Sequence, residues 1–387
     1  MSSYTTLVNV DADTAPKLVQ IIASLLDAND SNGFLTQCNE LISSTKTAEL
    51  VDVILSKKEL LFNIEKDKDI EAIFQALVSL IFTLEEGIDT APIINKIMDV
   101  IKSSNEKPLL RLKVLVNIFN LTFDTTSKYD AIISIYKYAI DTKQTNVVSN
   151  YYSRVDGWVK AWDLTIEQKR QLYLLVSTSL GKSGHISLCL NFQIRFFETF
   201  SDGQFPSDVL PLAINTVVSA VKSHIDAFND RNTIIECVSF KNQKGTLGTL
   251  IELLSIICRG SLDDYDKYVA TNKGILAEHA IDVNEIGNNM KLLTLCSLAV
   301  QQNVIPYTAI SKALKIDVAD VDNWIVEAVS LNLFEGSMDQ NSQVLNVGRC
   351  VHRSFDKEDW TKVQSKLSFL RKNVQAVVSS ISKHNSL

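Results

Sequence analysis

The sequence predicts a mostly α-helical chain: a degenerate helical-repeat solenoid, then a winged helix, then one long C-terminal helix. Three observations carry this expectation. Chain-breaking residues are sparse, with 13 Gly and 6 Pro in 387 residues, against roughly 7% and 5% in average usage. Apolar residues recur at steps of three and four from about residue 14 to 302, the period of helices with one buried face. After residue 305 the pattern changes to two short helices and a strand pair, and from 356 to 383 to an unbroken heptad.

The first helix opens at Thr14, a candidate cap, with Pro16 in the first turn where its missing N–H costs nothing. It buries Leu18, Ile21, Ile22, Leu25 and Leu26, and the polar run DANDSNG at 27–33 is expected to stop it. Stretch 67–84 repeats the logic through Ile70, Ile73, Phe74, Leu77, Ile81 and Leu84, which share one face. The helix after Pro108 presents Leu112, Leu115, Val116 and Phe119. Thr165 and Gln168 have the spacing of a capping box ahead of another helix. Just before it, Trp158 and Trp162 lie one turn apart and read as core aromatics between helices, not as a ligand-stacking pair. Further stripes occupy 184–200, 206–228, 248–258, 262–280 and 283–302. Helices joined by short polar links pack antiparallel to their neighbours. No clean repeat consensus emerges.

Beyond residue 305, Ile310 and Leu314 mark one short helix. Asp317 is placed to cap the next, whose apolar face is Val321, Trp324, Ile325, Ala328 and Val329. Strands at 333–338 and 343–348 flank the polar link Asp339 to Ser342, and helix-turn-helix plus hairpin is a winged helix. In the last segment Trp360, Val363, Leu367, Leu370, Val374, Val377 and Ile381 form a heptad seam. Asp356, Glu358 and Asp359 precede Lys362, Lys366, Arg371, Lys372 and Lys383, an order that matches the helix dipole.

Net charge of −7 and a pI near 5.4 give no chain-wide attraction for phosphates and favour protein partners. The cysteines, at 38, 189, 237, 258, 296 and 350, include no Cys-x-x-Cys pair and read as reduced core residues. The N-terminus lacks a basic start and apolar block, and the densest apolar stretch, 77–84, falls far short of the roughly 20 residues that span a bilayer. A soluble, cytoplasmic protein with no membrane contact is expected.

Motifs for catalysis are missing. Gly181, Lys182 and Ser183 resemble the end of a phosphate loop, but Val176 occupies the upstream glycine position and a helix precedes them. The five histidines, at 185, 224, 279, 352 and 384, have no metalloprotease spacing, and Cys350 with His352 makes no four-ligand set. No enzymatic activity, cofactor or metal is expected. DNA is also a poor ligand for the winged helix. Between Lys315 and Arg349 there is no Lys or Arg, whereas Asp317, Asp320, Asp322, Glu327, Glu335 and Asp339 are all acidic, and each works against phosphate binding. The cations at Arg349, Arg353 and Lys357 and along the last helix read as a solvated face, with weak RNA contact inside an assembly as the alternative.

Helical repeats that run into an acidic winged helix and end in a heptad helix resemble the PCI family, the scaffold subunits of the proteasome lid, the signalosome and translation initiation factor 3. The words LRLKVLVNIFN (110–120), WVKAWDLTIEQK (158–169), NNMKLLTLCSLA (288–299) and HRSFDKEDW (352–360) are similar to stretches of the initiation-factor members. The resemblance implies helical repeats over 1–184, a PCI domain over 185–350 (helical to 305, winged helix 306–350) and a C-terminal helix over 351–387. It implies a non-catalytic scaffold of the initiation factor 3 complex, supporting 43S pre-initiation complex assembly and mRNA recruitment. Partners would be other PCI and MPN subunits, with the small ribosomal subunit reached through the complex. A signalosome or lid scaffold is the alternative. The implied interface comprises Leu333, Phe334, Met338, Val344, Leu345 and Val347 on the wing, whose strands would pair at their edges. His352 and Arg353 would touch a neighbour, and Val363, Leu367, Leu370, Val374, Val377 and Ile381 would enter a helix bundle. Met290, Leu292, Leu293 and Trp324 would form internal core, and Phe355 and Trp360 would anchor the last helix.

Overall fold

The computed structural model describes residues 14–26, 28–64, 66–81, 90–122, 124–200, 205–225, 228–241, 243–353 and 357–384. Leu84, Phe355 and Asp356, and the side chains of Glu358, Asp359, Lys362 and Lys383, lie outside this description. The chain forms two compact units, Met1–Thr199 and Phe200–Leu387.

The first unit is helical: α1 (Thr14–Ala23), α2 (Ala28–Ser43), α3 (Thr47–Leu55), α4 (Lys58–Phe62), α5 (Asp67–Ile81), α6 (Ala91–Lys102), α7 (Pro108–Leu121), α8 (Thr125–Asp141), α9 (Thr145–Val148), α10 (Val155–Ala161), α11 (Ile166–Lys182) and α12 (Ile186–Glu198). Successive helices pack as pairs, α1 on α2, α7 on α8 and α11 on α12, and each pair leans on the next, α8 on α11. Leu18, Ile22, Ile70, Phe74, Leu77, Leu112, Leu115 and Tyr136 are buried in one continuous core. The run DANDSNG does not simply end the first helix, because α2 already begins at Ala28 inside it. Asp30, Asn32 and Gly33 are exposed there while Phe34 and Cys38 point inward, so polar residues on the outer face of a first turn cost the helix little. The expected boundary at 184/185 falls between α11 and α12, which pack together, whereas the unit boundary follows α12 at 199/200.

Thr165 and Gln168 form the capping box of α11, with Thr165 N–H donating to Gln168 Oε1 at 2.9 Å and Gln168 N–H to Thr165 Oγ1 at 3.3 Å. Gly181 and Lys182 close that helix, the negative end of its dipole, the opposite of a phosphate cradle. Trp158 and Trp162 are half-buried, stacked with ring centres 5.4 Å apart, and the first meets Phe119 edge-on at 5.4 Å.

The second unit holds α13 (Leu210–Lys222), α14 (Phe228–Glu236), α15 (Gly245–Arg259), α16 (Leu262–Glu278) and α17 (Val283–Gln301), followed by β1 (Val304–Pro306), α18 (Tyr307–Leu314), α19 (Val321–Ser330), β2 (Phe334–Asp339), β3 (Val344–Cys350) and α20 (Lys357–His384). Ser261 with Asp264 caps α16, and Asp282 caps α17. Asp317 makes no side-chain cap: a 3-10 turn, Val318–Asp320, intervenes before α19. The sheet is antiparallel in the order β1-β3-β2. A bulge at Glu335/Gly336 breaks the register, and a Cβ on Gly336 would lie 2.6 Å from the Asn346 carbonyl oxygen, so the strands approach there only because the side chain is missing.

Three buried arginines share one role. Arg111 donates to Ile101 O (2.6 Å) at the end of α6 and to Glu106 O (2.7 Å). Arg231 donates to Ala220 O and Ser223 O at the end of α13. Arg353 donates to Ile257 O and Ile256 O, both 2.7 Å, at the end of α15. Each satisfies at least one carbonyl that a helix leaves open in its last turn (Ile101, Ala220 and Ile257), where a cation also suits the dipole. Among the described residues, neither Arg111 nor Arg353 forms an ion pair with a carboxylate.

Candidate interface on the wing and the C-terminal helix

The winged helix presents an acidic outer face. Asp317, Asp320, Glu327 and Glu335 are exposed. Lys315, adopting the left-handed conformation (φ 55°) that ends α18, is held by Asp263 and Asp266 of α16, each at 2.6 Å. Its hydrogen bond keeps the Asp263 carboxyl below its usual range. Lys291 sits 5.0 Å over the ring of Trp324, which is only half-buried, so Trp324 covers the edge of the core that Met290, Leu292 and Leu293 fill. Lys315 and Lys291, two cations bordering the would-be reading helix, are therefore engaged within the chain. The wing turn is tied down as well: Asp339 Oδ1 accepts from the backbone N–H of Asn341 (3.0 Å) and Ser342 (3.1 Å), and Gln340 Nε2 donates to Asp322 Oδ2 of α19 at 3.1 Å.

The residues expected to face a partner divide sharply. Leu333 (1% exposed), Phe334 (2%) and Leu345 (0%) belong to the unit's own core, because one face of a hairpin laid on helices must be apolar. Arg353 (8%) is the cap of α15 described above and not a surface contact. Met338 and His352 are exposed, and Val344 and Val347 half-buried. Nor are both wing strands edges. β3 is the central strand, flanked by β1, which sequence periodicity did not reveal, so only β2 offers a six-residue edge. β1 has three residues and ends in Pro306, which has no N–H to donate.

Beyond Arg353, α20 runs for 28 residues, about 42 Å at the α-helical rise. Leu367, Leu370, Val374, Val377 and Ile381 are 54–59% exposed, Val363 is half-buried, and Trp360 is exposed although expected to be an anchor. Val378, outside the seam expected from the sequence, is exposed too and widens the apolar face, while the exposed Phe369 lies off it on another side of the helix. From 360 to 384 this helix has Lys362, Lys366, Arg371, Lys372 and Lys383 and no acid. A stripe this long in water marks an interaction surface, and its heptad spacing fits another helix.

The family model described as the PCI domain matches residues 267–349, which run from within α16 through α17 and the winged helix into β3. Over most of its length the chain is also similar to named relatives. Eukaryotic translation initiation factor 3 subunit M of Dictyostelium discoideum is 25% identical over 374 residues, 94% of this chain and 92% of that protein. The protein of the same name from Homo sapiens is 25% identical over 322 residues, 82% of this chain and 84% of its own length. That of Aspergillus fumigatus is 26% identical over 289 residues, 70% of this chain but 60% of its own. The slime-mould match takes the likeness well ahead of residue 110, where the first of the similar words begins. Among the described residues no group of three His, Cys, Asp or Glu could hold a metal ion, and no helix is long and apolar enough to cross a membrane.

Proposed function

We propose that the chain is a non-catalytic scaffold subunit of the eukaryotic translation initiation factor 3 complex, acting in the cytoplasm to support 43S pre-initiation complex assembly and mRNA recruitment. The exposed stripe of α20, in a chain similar to subunit M over 94% of its length, is the observation that carries this reading. The helical repeats serve as a rigid arm, α20 joins a bundle with helices of other PCI and MPN subunits, and the outer edge of β2, with Met338, Val344, Val347 and His352 nearby, meets a neighbouring subunit. The small ribosomal subunit is reached through the complex. Any RNA contact is weak and falls on the basic face of α20 around Arg371 and Lys372.

Tagging the full chain in its own cells and identifying what co-purifies tests the reading. Initiation factor 3 subunits and small-subunit ribosomal proteins are expected, and their loss on introducing Leu367→Asp with Leu370→Asp. Recovery of ubiquitin-pathway subunits instead would assign the chain to a signalosome or lid scaffold and overturn the proposal.

A further inference from the structure

Cys350 stands apart from the buried cysteines: it is half-exposed at the end of β3. Its Sγ lies 3.5 Å from the backbone carbonyl oxygen of Cys296, on α17, 54 residues earlier in the chain, and α17 packs directly against β3. Cys296 is 1% exposed. The two thiols are also electrostatically linked. The hydrogen bond from Cys296 holds the Cys350 thiol below its usual range in spite of burial. The same bond, and then burial, pushes Cys296 up. A partly exposed sulfur beside a buried one, on two elements that pack together, is the arrangement of an attacking and a resolving cysteine. For Cys189, the other half-exposed cysteine, burial pushes the thiol up and outweighs an opposing hydrogen bond from the Gly181 backbone.

We propose that Cys350 and Cys296 form a peroxide-sensitive dithiol that closes into a disulfide between the end of β3 and α17. The Cys350 thiolate attacks one oxygen of hydrogen peroxide, breaking the O–O bond and releasing hydroxide, and becomes a sulfenic acid. The Cys296 sulfur then attacks the Cys350 sulfur, its proton leaves with the departing hydroxyl as water, and the S–S bond forms. In total, two thiols are oxidised and one peroxide is reduced to two waters. The bond would fasten the wing to α17 three residues before the Arg353 cap, so that oxidation stiffens the passage from wing to α20.

The test uses the reduced full chain titrated with hydrogen peroxide, followed by peptide mapping without reductant. A linked peptide joining residues 296 and 350 is expected, in a chain two hydrogens lighter, before Cys189 reacts. Cys350→Ser abolishes the link. Cys296→Val, which keeps the core filled, leaves Cys350 as a sulfenic acid that dimedone captures. Conversion of Cys350 to sulfinic acid in the unsubstituted chain without that linked peptide, or linkage of Cys350 to another cysteine, would overturn the proposal.

Discussion

Replacing Arg353 by methionine tests whether this arginine is an internal joint. Its Nε and Nη2 donate to Ile257 O and Ile256 O at 2.7 Å each, and burial pushes its guanidinium down from 12.5 to about 10. Holding the charge inside therefore opposes folding by about 3 kcal/mol, a penalty that methionine removes. Against that stand two charge-assisted hydrogen bonds of about 1.5–3 kcal/mol each, and the cost of leaving Ile257 O without a donor, about 1–3 kcal/mol, whereas Ile256 O keeps the backbone N–H of Gly260. The hydrogen-bond side wins, and Arg353→Met should destabilise the second unit by about 1–6 kcal/mol. Urea unfolding should show an earlier midpoint at unchanged slope. Hydrogen exchange should speed up in the last turn of α15 and leave α8 untouched. Arg353→Lys should fall between the two, since one ammonium cannot reproduce a fork. A variant with full stability that nonetheless loses its partners would refute the reasoning and return Arg353 to the surface.

Three further outcomes follow from the same structure. Gly336→Ala places a Cβ 2.6 Å from the backbone oxygen of Asn346, which cannot rotate away; a loss of about 1–3 kcal/mol in thermal unfolding is expected, and a variant as stable as the parent contradicts the close approach. Asp339, through the backbone N–H and side chain of Ser342, and Asp263, through Lys315, are held below the usual 3.8. A carboxylate depressed in the folded state stabilises above its unfolded value and stops doing so as pH falls through the folded one. The melting temperature should thus be flat down to about pH 4 and fall below it, with Asp339→Asn narrowing that fall; an unchanged fall in D339N counts against the turn. Finally, Leu367→Asp with Leu370→Asp should leave the unfolding free energy within about 0.5 kcal/mol of the parent, as exposed positions do, while complex capture is lost. Unfolding of the variant would show that the stripe packs on its own chain.

Legibility followed the reach of the interactions. The heptad of α20, the capping box at Thr165 and the two wing strands at 334–339 and 344–350 could be read because local periodicity and spacing produce them. β1 could not: three residues ending in proline carry no alternation, and without β1 nothing says that β3 is central. The inward turn of Arg353 was equally hidden, since a cation following a strand in a basic neighbourhood looks like surface and its acceptors lie 96 and 97 residues back. For Phe334 and Leu345 a signal did exist. Strand alternation already required one face of the hairpin to point inward, and treating the wing's apolar residues together as interface passed over it.

The arginine caps have one more consequence. Arg111 and Arg353, one in each compact unit, donate their hydrogen bonds to the carbonyl oxygens of helix ends. No carboxylate has to stay ionised for these two joints to hold, and buried contacts are poorly screened by salt. Surface pairs such as Arg349 with Glu335 have neither protection. A high-salt wash that strips a neighbour from charged surface patches would leave both joints closed, and the subunit would come away as a folded piece, fit to be put back.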